Sequence, residues 1–367
     1  MIWILLSAFV LWTAVFIFID KKIQLEKDES NVIQDQKEQF SLSVIIVMRN
    51  EAENILRCLS SIDAQVNLPD SVKVILIDDH SEDESANIAA SFKSNNFDLI
   101  QYGLDVKSGK KHGLRLALSH VHSGFIYFTD ADCQLLPNVM SQLYARLRSG
   151  KFWAVFGPVQ LKSKSFWEQI LSTENLNNQC VTEAFVKYRN PIMANGANMM
   201  ISAEAINTYR DSLESKTESG DDVFFAQKLG EQATCAMVSN ASVWTKPPAD
   251  FSEFCNQRIR WAAKSIKYPS KIAKTFGGLV FIINLVFAIS LFAIPFVNGV
   301  FWIVFLFGLK TLIEFAYHKR WLYKYGIRHR LYVGFILSGL YPFYVVLIGL
   351  FSTLGIGYKW KGRVAKR

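Results

Sequence analysis

Two kinds of hydrophobic run alternate along this chain. The first kind is long and uncharged. Met1 to Ile19 contains no charged residue before Asp20, Lys21 and Lys22, and as a helix it would extend about 29 Å, enough to cross a hydrocarbon core. A cleaved signal peptide would begin basic, be shorter and end at a small-residue site, so a retained anchor is expected. Gly277 to Tyr317 is almost wholly apolar and is punctuated by Pro295, Asn298 and Gly299. That pattern predicts two spans joined by a tight turn. Leu331 to Leu354 predicts a third, interrupted by Pro342.

The second kind is short and bounded by polar clusters. Ser43–Met48, Val72–Ile77, Leu99–Tyr102 and Phe125–Thr129 read as strands, and continuous apolar runs of this length suit strands buried on both faces. Between them lie helical patterns: Glu51–Ile62, with Ile55, Leu59 and Ile62 on one face, then Glu84–Phe92 and Lys111–His120. Strands alternating with helices predict an α/β domain around a mostly parallel sheet. Ligands of such sheets gather beyond the carboxyl ends of the strands. Those ends carry Arg49-Asn50-Glu51, Asp78-Asp79-His80-Ser81 and Asp130-Ala131-Asp132.

Charge divides the chain in the same way. Residues 301–367 hold eleven Lys and Arg against Glu314 alone, a net +10 where the whole chain is +8, which leaves residues 1–300 at −2. The basic excess therefore belongs to the apolar, C-terminal part. It points to anionic lipid headgroups before nucleic acid. The five cysteines are widely spaced with no C-x-x-C pair, which disfavours a disulfide framework or zinc site and fits a reducing, cytoplasmic setting.

Several clusters carry candidate chemistry. Asp130 and Asp132, one residue apart past an apolar strand, can share a hard divalent cation that bridges to phosphates; the alternative is a turn with solvated acids. Asp78 and Asp79 also end a strand. They suit either the start of the next helix or acceptance of a nucleobase N–H or ribose hydroxyl. The turn after the first strand reads Met48-Arg-Asn-Glu-Ala-Glu53 and lacks the glycines of a dinucleotide fingerprint, so NAD is disfavoured. Asp221 and Asp222 open a helical stretch, where the helix dipole favours acids; the functional alternative is a general base. From Asp250 to Tyr268, Phe251, Phe254, Cys255, Ile259, Ala262 and Ile266 fall on one helical face. Gln257, Arg260, Trp261 and Lys264 fall nearly opposite. Such a helix can lie in the membrane interface with its apolar face towards lipid.

Taken in order, these clusters resemble the family-2 glycosyltransferases of GT-A fold. The likeness is greatest to the membrane-bound branch with a D, D, D, Q-x-x-R-W signature, which includes ceramide glucosyltransferase and the chitin, hyaluronan and cellulose synthases. The matching segments are Ser43-Val-Ile-Ile-Val-Met-Arg-Asn-Glu-Ala-Glu-Asn54, Ile77-Asp-Asp-His-Ser-Glu-Asp83, Gly109-Lys-Lys111, Phe128-Thr-Asp-Ala-Asp132, Gly220-Asp-Asp222 and Gln257-Arg-Ile-Arg-Trp261. The resemblance implies that Asp78 or Asp79 binds the nucleobase, Lys110 lies near the nucleotide, Asp130 contacts the nucleotide-sugar and Asp132, with Asp130 beside it, ligates Mn²⁺ or Mg²⁺. It makes Asp222 the base, with Asp221 standing where the family usually has Glu. Gln257, Arg260 and Trp261 would hold the diphosphate and frame the acceptor, and Asn195-Gly196-Ala197-Asn198 would line the acceptor pocket.

The expectation is an inverting transferase moving a sugar from a nucleotide-sugar, a UDP-sugar by preference, to a membrane lipid. A processive polysaccharide synthase and a non-catalytic nucleotide-sugar-binding scaffold are the alternatives. The predicted organisation is an anchor at 1–20, a linker at 21–40, a GT-A catalytic domain at 41–250, an interfacial helix region at 251–276, about three membrane helices at 277–354 and a basic tail at 355–367. The positive-inside rule places the N-terminus outside and the catalytic domain in the cytoplasm, in a bacterial-type inner membrane. A full final span would export the tail; a re-entrant hairpin bent near Gly339 and Pro342 would retain it.

Overall fold

The computed structural model describes residues 2–24, 41–69, 71–104, 109–121, 124–149, 152–215, 217, 220–232, 234–296, 299–328, 330–354, 358–360 and 363–365. Most of the expected linker, 25–40, and tail positions 355–357, 361–362 and 366–367 lie outside the described residues. In chain order the elements are α1 (Ile2–Gln24), β1 (Ser41–Met48), α2 (Ile55–Asp63), β2 (Ser71–Asp78), α3 (Ser85–Ser91), β3 (Asp98–Gly103), α4 (Lys110–Ser119) and β4 (Phe125–Phe128). There follow β5 (Gln134–Leu135), α5 (Val139–Ser149), β6 (Ala154–Phe156), β7 (Val159–Leu161), α6 (Phe166–Lys187), β8 (Met199–Ser202), α7 (Ile206–Leu213), α8 (Asp221–Gln232), β9 (Cys235–Met237) and β10 (Val243–Thr245). The chain continues with α9 (Phe251–Ala262), α10 (Lys271–Phe292), α11 (Val300–Lys324), α12 (Leu331–Thr353), β11 (Tyr358–Trp360) and β12 (Arg363–Ala365).

These elements form two compact units. One takes the chain from β1 through Leu161, together with Val186–Lys246. Its main sheet has the order β3-β2-β1-β4-β8-β6-β9. β3, β2, β1 and β4 are parallel, and β8 runs antiparallel to both β4 and β6. This is the expected α/β, mostly parallel sheet. Val44, Ile46, Val74, Leu76 and Tyr127 are wholly buried, against Ile55, Leu59 and Ile62 of α2; each such aliphatic side chain stabilises the fold by roughly 1.5–3 kcal/mol. The strand order reverses at β1, which pairs with β2 on one side and β4 on the other. That reversal leaves a crevice beyond the strand ends. A small sheet, β5-β10-β7, closes the same unit.

The other unit comprises α1, Lys162–Phe185 and the chain from Pro247 onward. Among the described residues, α1, α10, α11 and α12 are long and apolar enough to cross a membrane. α10 starts six residues before the expected span, and α11 runs on to Lys324. The two helices α1 and α11 run side by side in the same direction. Trp12 donates to Glu314, Trp321 Nε1 donates to Asp20 at 3.2 Å, and Lys324 donates to Ile23 O at 3.0 Å. Lys310 and Glu314 are buried and paired at 2.6 Å, as charges in such a setting must be.

Three expectations differ from what the structure contains. Lys162–Phe185, expected within the 41–250 domain, belongs with the apolar helices, because α6 turns Glu174 onto Arg258 and Glu183 onto Lys324 and Tyr325. The apolar face of α9 does not all face lipid. Phe251 is exposed, but Phe254 and Ile259 are buried by protein, with Phe254 between Trp167 and Tyr344. Finally, α12 is one continuous helix through Pro342, without the alternative hairpin bend. Yet β11, which follows α12, packs against α9, which precedes α10.

Candidate active site

The strand ends of the sheet unit are built as a clamp. Arg49, directly after β1, donates to the carbonyls of Asp79 (2.8 Å) and His80 (2.7 Å) and pairs with Glu82. Asn50 Oδ1 accepts the amide of Glu82 at 2.8 Å. Asn50 and His80 both take left-handed φ, 52° and 58°, a region where Asn and His are over-represented.

The two neighbouring acids after β2 do different work. Asp79 is 1% exposed, and both its oxygens accept the amide of Gly109 at 3.0 Å. It therefore fixes the start of α4. Gly109 has φ 123°, a conformation that requires glycine. Asp78 is half-buried and accepts Ser81 Oγ at 2.5 Å.

α4 then delivers Lys110 to Asp130 at 2.5 Å, with side-chain exposures of 27% and 38%. Burial pulls the Lys110 ammonium down, but Asp130, then Asp221, outweigh it, and its pKa lies above the usual lysine value. Lys110 is thus a fixed cation among carboxylates. A small cleft opens here, lined by Lys110, Thr129, Asp130, Gly196, Tyr209 and Asp221 over a floor of Ile45, Val47, Leu114 and Phe128. Lys111, the next residue, is instead buried and donates to Ser215.

Asp221 is 4% exposed and accepts Tyr209 Oη at 2.8 Å. Burial, then the Asp221 charge, raises the Tyr209 phenol well above its usual pKa, so it remains a donor. Asp222 is half-buried, and its Oδ2 accepts the amide of Gly196 at 3.0 Å. The residues expected as base and as acceptor lining are therefore neighbours. Asn195 caps its own turn by accepting the Ala197 amide at 3.0 Å. Asn198 lies deeper. It is 0% exposed, donates to Pro158 O (3.0 Å) and Ala241 O (2.7 Å), and accepts Tyr127 Oη (3.0 Å). It ties the segment into the core.

Asp132 is held by Thr245 Oγ1 of β10 at 2.8 Å. Among the described residues no three His, Cys, Asp or Glu side chains form a metal cage. The two oxygen donors Asp130 and Asp132 fit a hard cation that takes one or two carboxylates and completes its shell with phosphate oxygens and water. Tyr209 and Thr245 escaped sequence reading, since neither stands in a cluster with a chemical spacing.

Gln257, Arg260 and Trp261 belong to the other unit, on α9, and all three are half-buried there. The five cysteines are free.

Residues 43–210 match the family Glycosyl transferase family 2. That stretch is similar to a family-2 glycosyltransferase domain, and the sheet unit has the GT-A fold. Glycosyltransferase AglE of Haloferax volcanii is 21% identical over 60% of this chain and 71% of its own. A 4,4'-diaponeurosporenoate glycosyltransferase of Staphylococcus aureus is 35% identical over 26% of this chain and 25% of its own. Coverage of the curated relatives is partial, at 44% of another one's length. The fold is that of mannosyltransferase PcManGT from Pyrobaculum calidifontis, solved with GDP-Man and Mn²⁺, at TM-score 0.61 and 16% identity over 94% of this chain and 98% of that one.

Proposed function

We propose that the chain transfers one sugar from a nucleotide-sugar to a membrane lipid with inversion, its catalytic unit in the cytoplasm. The observation that carries this reading is the position of Asp222. Its carboxylate sits on the Gly196 amide, beside a cleft in which Lys110 meets Asp130 and Asp221 faces Tyr209. In the reaction the acceptor hydroxyl oxygen bonds to the sugar's anomeric carbon. The bond to the donor phosphate breaks with its electron pair going to the nucleoside diphosphate, and the hydroxyl proton passes to Asp222.

Asp78, half-buried where Asp79 is sealed, takes the nucleobase. Lys110 and Asp130 contact the nucleotide-sugar. A Mn²⁺ or Mg²⁺ ion, held by Asp132 with Asp130, would supply charge to the departing diphosphate. Gln257, Arg260 and Trp261 are assigned the diphosphate by their motif. The apolar helices favour a lipid acceptor, and a relative named for a diaponeurosporenoate acceptor supports it. The GDP-Man and Mn²⁺ of PcManGT support a nucleotide-sugar donor and a divalent ion.

Asp222→Asn tests the reading, with UDP-glucose, UDP-GlcNAc and GDP-mannose as donors and lipid extract as acceptor. Turnover should fall by at least about 10² with donor KM nearly unchanged, as for a group acting in the transition state. A loss confined to donor affinity would make Asp222 a donor ligand and refute its role as base.

A further inference from the structure

The Q-x-x-R-W stretch contains a second arginine with a different environment. Arg258 is buried, whereas Gln257, Arg260 and Trp261 on either side are half-buried. Its guanidinium pairs with buried Glu174 of α6. It also donates to Gln257 Oε1 at 2.8 Å and lies 4.2 Å from the Trp261 ring centroid and 4.9 Å from that of Phe254. Glu174 in turn accepts Tyr344 Oη of α12 at 3.1 Å, and Tyr344 stacks on Phe254 at 5.6 Å.

We infer that Arg258 is a positioning residue that sets the orientation of Gln257 and Trp261, and that Glu174 and Tyr344 tie this setting to the apolar helix α12. This rests on the reading that Gln257 and Trp261 touch the donor diphosphate. Arginine has donors and no acceptor. The end of the Gln257 amide that meets Arg258 must therefore be the oxygen, and the NH₂ faces away from it. An amide fixed with its donors away from Arg258 suits an anionic ligand; a freely flipping amide would offer either end. The same guanidinium, planar and weakly hydrated, packs on the indole of Trp261 as a lysine ammonium could not. Glu174 neutralises it, so Arg258 adds no free charge to the site and acts through its neighbours.

A double-mutant cycle tests this on the full chain in detergent at fixed Mg²⁺, with UDP and GDP as separate calorimetric probes. Gln257→Ala with Trp261→Ala should weaken the bound nucleotide roughly tenfold or more. Arg258→Lys should weaken it by about fivefold in the native background, and by less than about twofold once Gln257 and Trp261 are already Ala. Equal effects in both backgrounds would overturn the inference, since Arg258 would then act independently. Should Gln257→Ala with Trp261→Ala leave both affinities unchanged, the diphosphate reading fails and the inference with it. Gln257→Glu provides a second arm that leaves Arg258 in place. It keeps an oxygen for Arg258 and turns an anionic oxygen away from it, so it should bind more weakly than Gln257→Ala. Binding as tight as that of Gln257→Ala, or tighter, would refute the fixed amide.

Discussion

Replacing Asn198 with Ala separates a core role from an acceptor role. The side chain makes three hydrogen bonds of 2.7–3.0 Å, to Pro158 O, Ala241 O and Tyr127 Oη, at zero exposure. Alanine removes the Asn198 bond from Ala241 O and from the Tyr127 hydroxyl, while Pro158 O keeps the Val243 amide at 3.0 Å. Each unmet buried group costs about 1–3 kcal/mol, and with the hydroxyl partly able to turn elsewhere the loss should be roughly 3 kcal/mol. Water cannot easily substitute, because the main chain is close: a Cβ on Gly157 would meet Asn198 Nδ2 at 2.2 Å. For a domain of this size that corresponds to a drop of about 6–12 °C in Tm. Asn195→Ala, which removes one hydrogen bond from a half-buried residue, should cost only about 1 kcal/mol and 2–4 °C. Intrinsic fluorescence melts of the purified chain in detergent would check both. An Asn198→Ala protein that melts within about 2 °C of the native one yet fails to transfer sugar would put Asn198 at the substrate and refute the packing argument.

Two further outcomes follow from charge placement. Asp132→Asn should abolish stimulation by Mn²⁺ or Mg²⁺ without loss of fold; activity that survives both the substitution and chelation would remove the metal from this site. Lys310→Met leaves Glu314 without its cationic partner inside the helical unit and should cost about 3–5 kcal/mol, which adding Glu314→Gln should largely restore; a Lys310→Met melt equal to that of the native chain would contradict the pairing.

The parallel half of the sheet was legible because β1, β2 and β4 are apolar runs ending in acids, and buried strands need that pattern. β5 to β10 were not, since strands of two to four residues are too short for a period to emerge. The uses of individual polar residues were legible only as classes. Asp78 and Asp79 are indistinguishable in sequence, and one is sealed by an amide thirty residues away, at Gly109. Asn198 looks like a loop residue until Ala241 O arrives from 43 positions on. α6 was overlooked for the same reason. Its buried face carries Glu174 and Glu183, which periodicity assigns to solvent, and their cationic partners lie 84 and 141 residues later.

The tail provides the sharpest test of the helical unit. α12 is 23 residues long, about 34 Å as a helix, and sufficient to cross. Its midpoint argues otherwise. Tyr344 lies thirteen residues into the helix, about 20 Å along its axis, and in an upright crossing it would be far from the surface where α10 begins. Instead it stacks on Phe254 of α9 and bonds to Glu174 of α6. An oblique α12 lying along α9 satisfies those contacts and brings β11 back against α9. Charge favours the same outcome. Export of the tail would carry Lys359, Lys361, Arg363, Lys366 and Arg367 across, against the bias that keeps such residues on the cytoplasmic side. Single cysteines at Ser252 in α9, Phe301 at the start of α11 and Val364 in the tail, probed with an impermeant maleimide in intact and lysed cells, would decide it. Positions 252 and 364 should behave alike and opposite to 301, whichever way the whole unit faces. Labelling of 364 together with 301 would restore the complete crossing and overturn the oblique helix.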